Sequence, residues 1–206
     1  MPSASNSYWR GYLGPELNTS CFPSGGVVVD VGCGWGEQLD QLRSADLRAI
    51  GLELDPVSAR GCRARGHLVI RAKAEELPIR SGSSPGVLCK VVLPYTDERL
   101  ALAEISRILS PGGVALLYLH GLGYFVRLLV WPAEWRHVVY GVRTIVNTFF
   151  YRIFARRLPG FLGDTIYQSD GRMARYYQQS GLTLEGRLPF RKFMGLPVFM
   201  GHLLRK

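Results

Sequence analysis

Val27-Val28-Val29-Asp30-Val31 is a short, β-branched run without polar alternation, the pattern of a strand buried on both faces of a parallel sheet. Gly32, Gly34 and Gly36 break it, and residues 37–43 resume with Leu39 and Leu42 on one helical face. The unit therefore reads strand, glycine turn, helix. Residues 48–53 predict a second strand, and Asp55-Pro56 an N-cap followed by proline at the first helical position. Ala59 and Cys62 would face the sheet from that short helix, which Gly61 weakens. Residues 67–70 and 86–92 predict a third and a fourth strand. From 97 to 109 the positions Leu100, Ala101, Ile105, Ile108 and Leu109 recur at helical spacing, the stripe of a helix lying on a sheet. Ser110-Pro111-Gly112-Gly113 stops it, and residues 114–119 predict a fifth strand.

Strands alternating with helices in this rhythm imply right-handed crossovers and a Rossmann-like α/β fold, with a doubly wound, mainly parallel sheet. Towards the end of the chain, residues 169–180 predict a helix that Gly181 terminates, and residues 182–188 and 196–204 two closing strands. Between the fifth strand and that helix lies a stretch, 121–163, rich in aromatics and arginine. Within 135–154, Trp135, Val138, Val139, Val142, Ile145, Val146, Phe149, Phe150 and Ile153 keep helical spacing on one face, with Arg136, Arg143, Asn147 and Arg152 beside or opposite them. Three roles fit this segment: a cap packed over the mouth of a site, a subunit interface of a homodimer, or a helix on an anionic membrane surface reached through residues 124–157. The cap is the plainest of the three. A wide aromatic wall suits a large apolar or lipid-like acceptor, and flanking arginines suit phosphate or acidic headgroups. Nucleic acid is disfavoured, because a base-binding surface interleaves aromatics with cations, whereas here they segregate.

The chain has 206 residues, 47% of them hydrophobic and 20% charged, which suits one domain over 1–206 with 121–163 as a helical insert. A net charge of +9 favours an anionic partner. Nearly all the cations are arginine, with lysine only at Lys73, Lys90, Lys192 and Lys206, so part of the excess is solvated surface. Cys21, Cys33, Cys62 and Cys89 form no Cys-x-x-Cys pair and lack a histidine at metal spacing; they read as reduced thiols of a cytoplasmic protein without a metal. Residues 1–8 are small and polar, unlike a secretory leader. The apolar runs fall short of the roughly 18 to 20 residues of a spanning helix, and Arg127, Arg143 and Arg152 interrupt them. The expected location is the cytoplasm, at most peripheral on the inner membrane face.

The loop Asp30-Val31-Gly32-Cys33-Gly34-Trp35-Gly36 sits where glycines let backbone approach a ligand and a helix N-terminus offers free N–H groups. Glu53, at the end of the next strand, can accept both hydroxyls of a ribose. Glycine turns also serve plain strand-to-helix packing. Gly36 follows Gly34 after one residue rather than two, which points away from a pyrophosphate ligand.

Four segments occur in one register: Val-Val-Asp-Val-Gly-Cys-Gly-Trp-Gly at 28–36, Gly-Leu-Glu-Leu-Asp-Pro at 51–56, Ala-Glu-Glu-Leu-Pro-Ile at 74–79 and Ala-Glu-Ile-Ser-Arg-Ile-Leu-Ser-Pro-Gly-Gly at 103–113. Over residues 27–119 the sequence thereby resembles the class I S-adenosylmethionine-dependent methyltransferases, especially the ubiquinone and menaquinone branch. The resemblance implies a seven-stranded sheet with a reversed last strand, S-adenosylmethionine as cofactor and a small or lipid-like methyl acceptor. It implies that Gly32, Cys33, Gly34 and Gly36 form the loop under the methionine moiety and that Asp30 anchors its amino group. Glu53 would hold the ribose, Leu54 the adenine face, and the Lys90 carbonyl the methionine ammonium. Lys73 stands where the family has an aspartate that accepts from adenine. Charged lysine has no acceptor lone pair, so either the backbone around Ala74 and Glu75 serves adenine or Lys73 turns outward. That departure keeps open a catalytically inactive binding or partner module. Pro85-Gly86 likewise replaces the family's usual opening of the fourth strand.

Methyl transfer is an in-line displacement in which the protein mainly aligns the partners. Tyr95 and His120 fall at the carboxyl edge of the expected sheet, where either could orient or deprotonate an acceptor hydroxyl, although both also suit packing. Val92-Leu93-Pro94-Tyr95 lacks the Asn/Asp-Pro-Pro-Tyr acceptor of base-amine enzymes, and Cys89, inside a strand, is no Pro-Cys nucleophile.

Overall fold

The computed structural model describes residues 17–188, 190 and 192–206; the opening residues read above for a secretory leader lie outside the described residues. The chain alternates β1 (Val27–Val31), α1 (Glu37–Ser44), β2 (Arg48–Glu53), α2 (Pro56–Ala64), β3 (Val69–Arg71), β4 (Ser84–Lys90), α3 (Glu98–Ile108) and β5 (Leu109–His120). There follow α4 (Leu122–Val130), α5 (Trp135–Phe154), α6 (Asp170–Gln179), β6 (Thr183–Leu188), a small hairpin of β7 (Lys192–Phe193) and β8 (Leu196–Pro197), and β9 (Phe199–Arg205). Seven strands form one sheet in the order β3-β2-β1-β4-β5-β9-β6. The first five pair in parallel, and β9 runs antiparallel between β5 and β6. This is the predicted Rossmann-like, doubly wound sheet with its reversed last strand.

The unbroken apolar β1 is explained by the two layers it separates. Val28, Leu88 and Leu116 pack with Leu39, Leu42, Ala59 and Cys62 of α1 and α2. Val29, Val87 and Ala115 pack with Ala101, Leu102, Ile105 and Ile108 of α3 and Met173 and Tyr177 of α6. Two of the helices that lead away from the carboxyl edge, α2 and α3, are capped by aspartate. The Ser58 N–H donates to Asp55 at 2.7 Å, and the Arg99 and Leu100 N–H groups donate to Asp97.

Some boundaries and one core position differ from the pattern. β4 runs over Ser84–Lys90 rather than 86–92, because Val91 turns to φ 60° and ends the strand. Ser110 to Gly113 does not separate α3 from β5; it forms an irregular start of β5, where the register against β4 slips between Ser84 and Gly86. Leu100 is exposed, and Leu102 takes its place in the core. The last predicted strand divides into β8 and β9.

The larger correction concerns α5. Its buried residues are Gly141, Thr144, Asn147 and Thr148, whereas Trp135, Val139, Val142, Val146, Phe149 and Ile153 are exposed. Most of the apolar stripe faces away from the protein, with Val138, Ile145 and Phe150 half-buried at its edge, so it is not the packed face of a cap. The reason is that the inward face supplies hydrogen bonds to irregular backbone. Asn147 Nδ2 donates to Thr165 O at 2.8 Å, Asn147 Oδ1 accepts from Leu158 N at 2.9 Å, and Thr148 Oγ1 accepts from Tyr167 N at 3.0 Å. Gly141 lets α4 approach closely, since a Cβ there would meet Leu129 Cδ2 at 2.8 Å. Among the described residues, no helix is long and apolar enough to cross a membrane.

This inversion predicts opposite responses to two neighbouring substitutions. Asn147→Ala, which strips the Thr165 carbonyl and the Leu158 amide of their partners, should lower the unfolding free energy by about 2 to 3 kcal/mol. Phe149→Ser should stay within about 0.5 kcal/mol of the parent. Urea denaturation reads both, and the reverse order would mean that the apolar stripe is the packed face.

Candidate active site

At the carboxyl ends of β1, β2 and β4 a cleft of about 960 Å³ opens, lined among others by Gly32, Glu53, Leu54, Lys73, Lys90 and Tyr95. The sheet's topology creates it: β1 leads to α1 on one face and β4 to α3 on the other, so their loops part there. Gly32, at φ 75°, passes so close to the loop after β4 that a Cβ would meet Val92 Cγ2 at 2.1 Å. Gly34, at φ 53°, has the opposite surroundings, with open space where a side chain would project. Gly36 starts α1 without a side-chain cap, leaving N–H groups at that helix end for a ligand.

Glu53 organises the adjoining wall. Its Oε2 accepts from the Gly34 N–H at 2.8 Å and its Oε1 from the Asp55 N–H at 2.8 Å. A carboxylate has about four acceptor sites, so two remain for the hydroxyls of a ribose. Leu54 is exposed beside it and lines the cleft. Glu75 turns one carboxylate oxygen to the Asp97 N–H at 2.9 Å, and the backbone of Ala74 and Glu75 borders the cleft where a base edge would lie. Lys73 is exposed and also lines the cleft.

Asp30 supplies the site's electrostatic imbalance. It is buried, and its Oδ2 has no hydrogen-bond partner. Burial raises its pKa to about 7, with Lys90 pulling it down and Glu53 pushing it up. Burial in turn lowers the Lys90 pKa, against the opposing pull of Glu37 and Asp30. An orphaned buried carboxylate beside an open glycine cradle fits a ligand that brings a cation of its own, as the ammonium and sulfonium of S-adenosylmethionine do.

The cleft thus gathers Gly32, Glu53, Leu54, Ala74, Glu75, Lys90 and Tyr95 on its lining. Asp30 and Cys33 are buried at the root of the loop, where the Cys33 sulfur packs so near Gly51 that a Cβ there would lie 2.5 Å away. Tyr95 is exposed, with its hydroxyl 2.9 Å from that of Tyr140. Burial pushes the Tyr140 pKa well above the usual tyrosine range, so Tyr140 stays protonated. His120 is not among the lining residues. It is 6% exposed and stacked on Tyr124 at 4.0 Å between centroids, and burial drives its pKa down to about 3. The sequence reading missed Val91, a β-branched residue held at φ 60° on the cleft wall. Such a conformation is strained for valine and leaves no mark in a hydrophobic pattern.

Two measurements test this geometry by isothermal titration with S-adenosylmethionine. Glu53→Ala should weaken binding by about 1.5 to 3 kcal/mol, the range for hydrogen bonds to a charged group; an unchanged dissociation constant would remove Glu53 from the site. The second is a pH profile. Because the folded-state Asp30 pKa lies above its ordinary 3.8, the donor-free fold binds the extra proton and loses stability as pH rises through that window. A cationic ligand favours the ionised form, so affinity should increase from about pH 6 to about pH 8. Asp30→Asn should flatten the profile, and a flat profile in the parent would exclude a cation at Asp30.

Comparison with known proteins gives the same assignment. Residues 29–117 match the family model described as a methyltransferase domain. The chain is 38% identical over 100 residues to the tRNA (carboxymethyluridine(34)-5-O)-methyltransferase of Mus musculus, a match covering 47% of this chain and 15% of that protein. It is 32% identical over 116 residues to the Arabidopsis thaliana protein of that name, covering 54% and 26%. The chain therefore spans well under half the length of these relatives. A solved S-adenosylmethionine-dependent methyltransferase from Mesorhizobium loti superposes with a TM-score of 0.65 at 18% identity, over 100% of this chain and 99% of that one. The relatives overturn the expectation that nucleic acid is disfavoured, since four of them carry names for methyl transfer to a tRNA uridine. The structure removes its physical basis too, because cations and aromatics are interleaved: Arg99 lies over Tyr176, Arg172 over Tyr151, and Arg143 over Tyr140 and Phe161. A small or lipid-like acceptor draws no support from these names. Over residues 29–117 the chain is thus similar to a methyltransferase domain, and it has the fold of the S-adenosylmethionine-dependent methyltransferases, with that donor as its cofactor.

Proposed function

We propose that this chain methylates an RNA acceptor, with a tRNA nucleotide as the reference substrate. The observation that carries the reading is the similarity, over about half of the chain, to proteins named for methyl transfer to tRNA. The net charge of +9 supports it, since phosphodiester backbones supply the matching anions.

In this reading Asp30, Gly32, Cys33, Gly34 and Gly36 hold the methionine half of the donor, together with the backbone carbonyl of Lys90. Glu53 holds the ribose, and Leu54 with the backbone of Ala74 and Glu75 receives the adenine. The bound donor supplies an electrophilic methyl carbon. The protein's contribution is alignment of the acceptor and exclusion of water. Tyr95 is the acceptor-side group, because it lines the cleft mouth and its hydroxyl is fixed by Tyr140. His120 supports the neighbouring Tyr124 ring rather than meeting the acceptor.

The test is incubation with methyl-labelled donor and, in parallel, a total tRNA pool or a membrane-lipid extract. Label is expected in the tRNA fraction and released by ribonuclease, and Tyr95→Phe should lower the turnover about tenfold through weaker positioning without changing donor affinity. Label confined to the lipid extract would overturn the RNA reading.

A further inference from the structure

A second cavity, of about 440 Å³, lies beyond the first turn of α3 and is lined by Arg99, Tyr151, Arg152, Arg172, Arg175 and Tyr176, together with Ser169, Gly171 and Ala155. None of these lining residues is acidic. Glu98 is buried behind Arg172, and both its oxygens accept from that guanidinium at 3.0 and 3.1 Å, while Asp170, between the lining residues Ser169 and Gly171, is paired with His202 and Arg187. Arg99, Arg152 and Arg175 form no ion pair among the described residues, and all three are exposed. Like charges gathered around one hollow repel each other unless an anion is shared between them.

Two further features point into the same hollow. Ser169 starts α6 without making a side-chain cap bond, and Gly171 has open space at its Cβ position, so the N-terminal end of this ten-residue helix borders the cavity. The hydroxyls of Tyr151 and Tyr176 lie 3.3 Å apart, and burial pushes the Tyr151 pKa up to about 12, keeping it a donor. The guanidiniums of Arg99 and Arg172 lie 5.8 Å from the ring centroids of Tyr176 and Tyr151, so planar cations and rings alternate along the wall. Arg157 straps the end of α5 to the loop ahead of α3 by donating to Pro94 O and Thr96 O. The strap holds the end of α5, which carries Arg152, by the chain entering α3, which carries Arg99. On the same turn of α3, Asp97 and Leu100 face the donor cleft while Arg99 faces this cavity.

We infer that this arginine and tyrosine cavity is a phosphate site that grips the sugar-phosphate backbone of the RNA whose nucleotide enters the donor cleft. The inference rests on the RNA reading given above. Arginine forks match phosphate oxygens in pairs, a helix N-terminus adds N–H donors, and tyrosine faces accept an unstacked base. No residue of the cavity lines the donor cleft, so the two sites are separable by substitution.

The experiment measures binding of a labelled tRNA transcript by fluorescence anisotropy across 50 to 200 mM salt, for the parent and for the double variant Arg152→Ala/Arg175→Ala. The double variant should bind at least about tenfold more weakly, and the slope of log affinity against log salt should shrink by about 2, one for each phosphate that an arginine no longer neutralises. S-adenosylmethionine affinity should be unchanged, and Arg152→Lys/Arg175→Lys should restore the slope. Parental RNA affinity in the alanine variant would overturn the cavity and leave the RNA reading standing. Absence of tRNA binding by the parent chain would overturn both. Loss of binding to phosphatidylglycerol vesicles with tRNA affinity intact would overturn the inference in favour of a lipid headgroup.

Discussion

The contact between the Glu53 carboxylate and the Gly34 amide ties the end of β2 to the loop that follows β1, and the donor cleft is built around it. With Glu53 Oε2 held by Gly34 and Oε1 by Asp55, at 2.8 Å each, one side chain sets the height of the glycine loop and the entry of the chain into α2. Gly34 stands at a left-handed φ of 53° that favours glycine, and Asp55 also caps α2 with its side chain. The carboxylate therefore belongs at once to the fold and to the ligand it would hold, whose ribose would meet its remaining lone pairs.

The half of the chain up to β5 was legible because its signals are local. A buried parallel strand needs an unbroken apolar run, a strand-to-helix turn in close contact with a neighbouring loop needs glycine, and a helix start needs a capping aspartate. Val27 to Val31, Gly32 and Asp55 each follow from one of these requirements. The α5 segment was legible only in part, because periodicity reports that a helix has two unlike faces without reporting which one meets the protein. Here the usual preference is inverted. Asn147 and Thr148 face inward because the irregular backbone at 158 and 165–167 has amides and carbonyls that no regular element satisfies. The cost of leaving those groups unpaired exceeds the gain from turning Val146 or Phe149 inward.

What the pattern could not reveal are features created by long-range contact. Val91 adopts a conformation that valine avoids because its amide is claimed by Tyr118 O at 2.8 Å. His120 ends β5 at the carboxyl edge, as its position implies, yet α4 and β9 enclose it among Tyr124, Phe125 and Phe199. The chain after β5 supplies those rings, and nothing in the strand itself announces them. The orphaned Asp30 oxygen likewise depends on three strands meeting around it. Its charge state is set by burial rather than by any neighbour in sequence.

The first turn of α3 joins these parts. Asp97 caps the helix with its side chain while its own amide is held by Glu75 from the cleft wall. One residue on, Glu98 is buried and bonded to Arg172 and Gln168 of the segment leading into and through α6. Just before it, Thr96 accepts from Arg157 at the end of the α5 segment. Three consecutive residues thus bind the donor cleft, the insert and α6 to one rigid point. Breaking a buried charge pair strands the remaining charge and costs several kcal/mol, so Glu98 and Arg172 hold that point against local opening. A ligand seated between Arg99 and Arg152 would be positioned, through one helical turn, against the same backbone that closes the donor cleft. The spacing between the two sites is then a property of α3, and it would hold an acceptor at a constant reach from the methyl group.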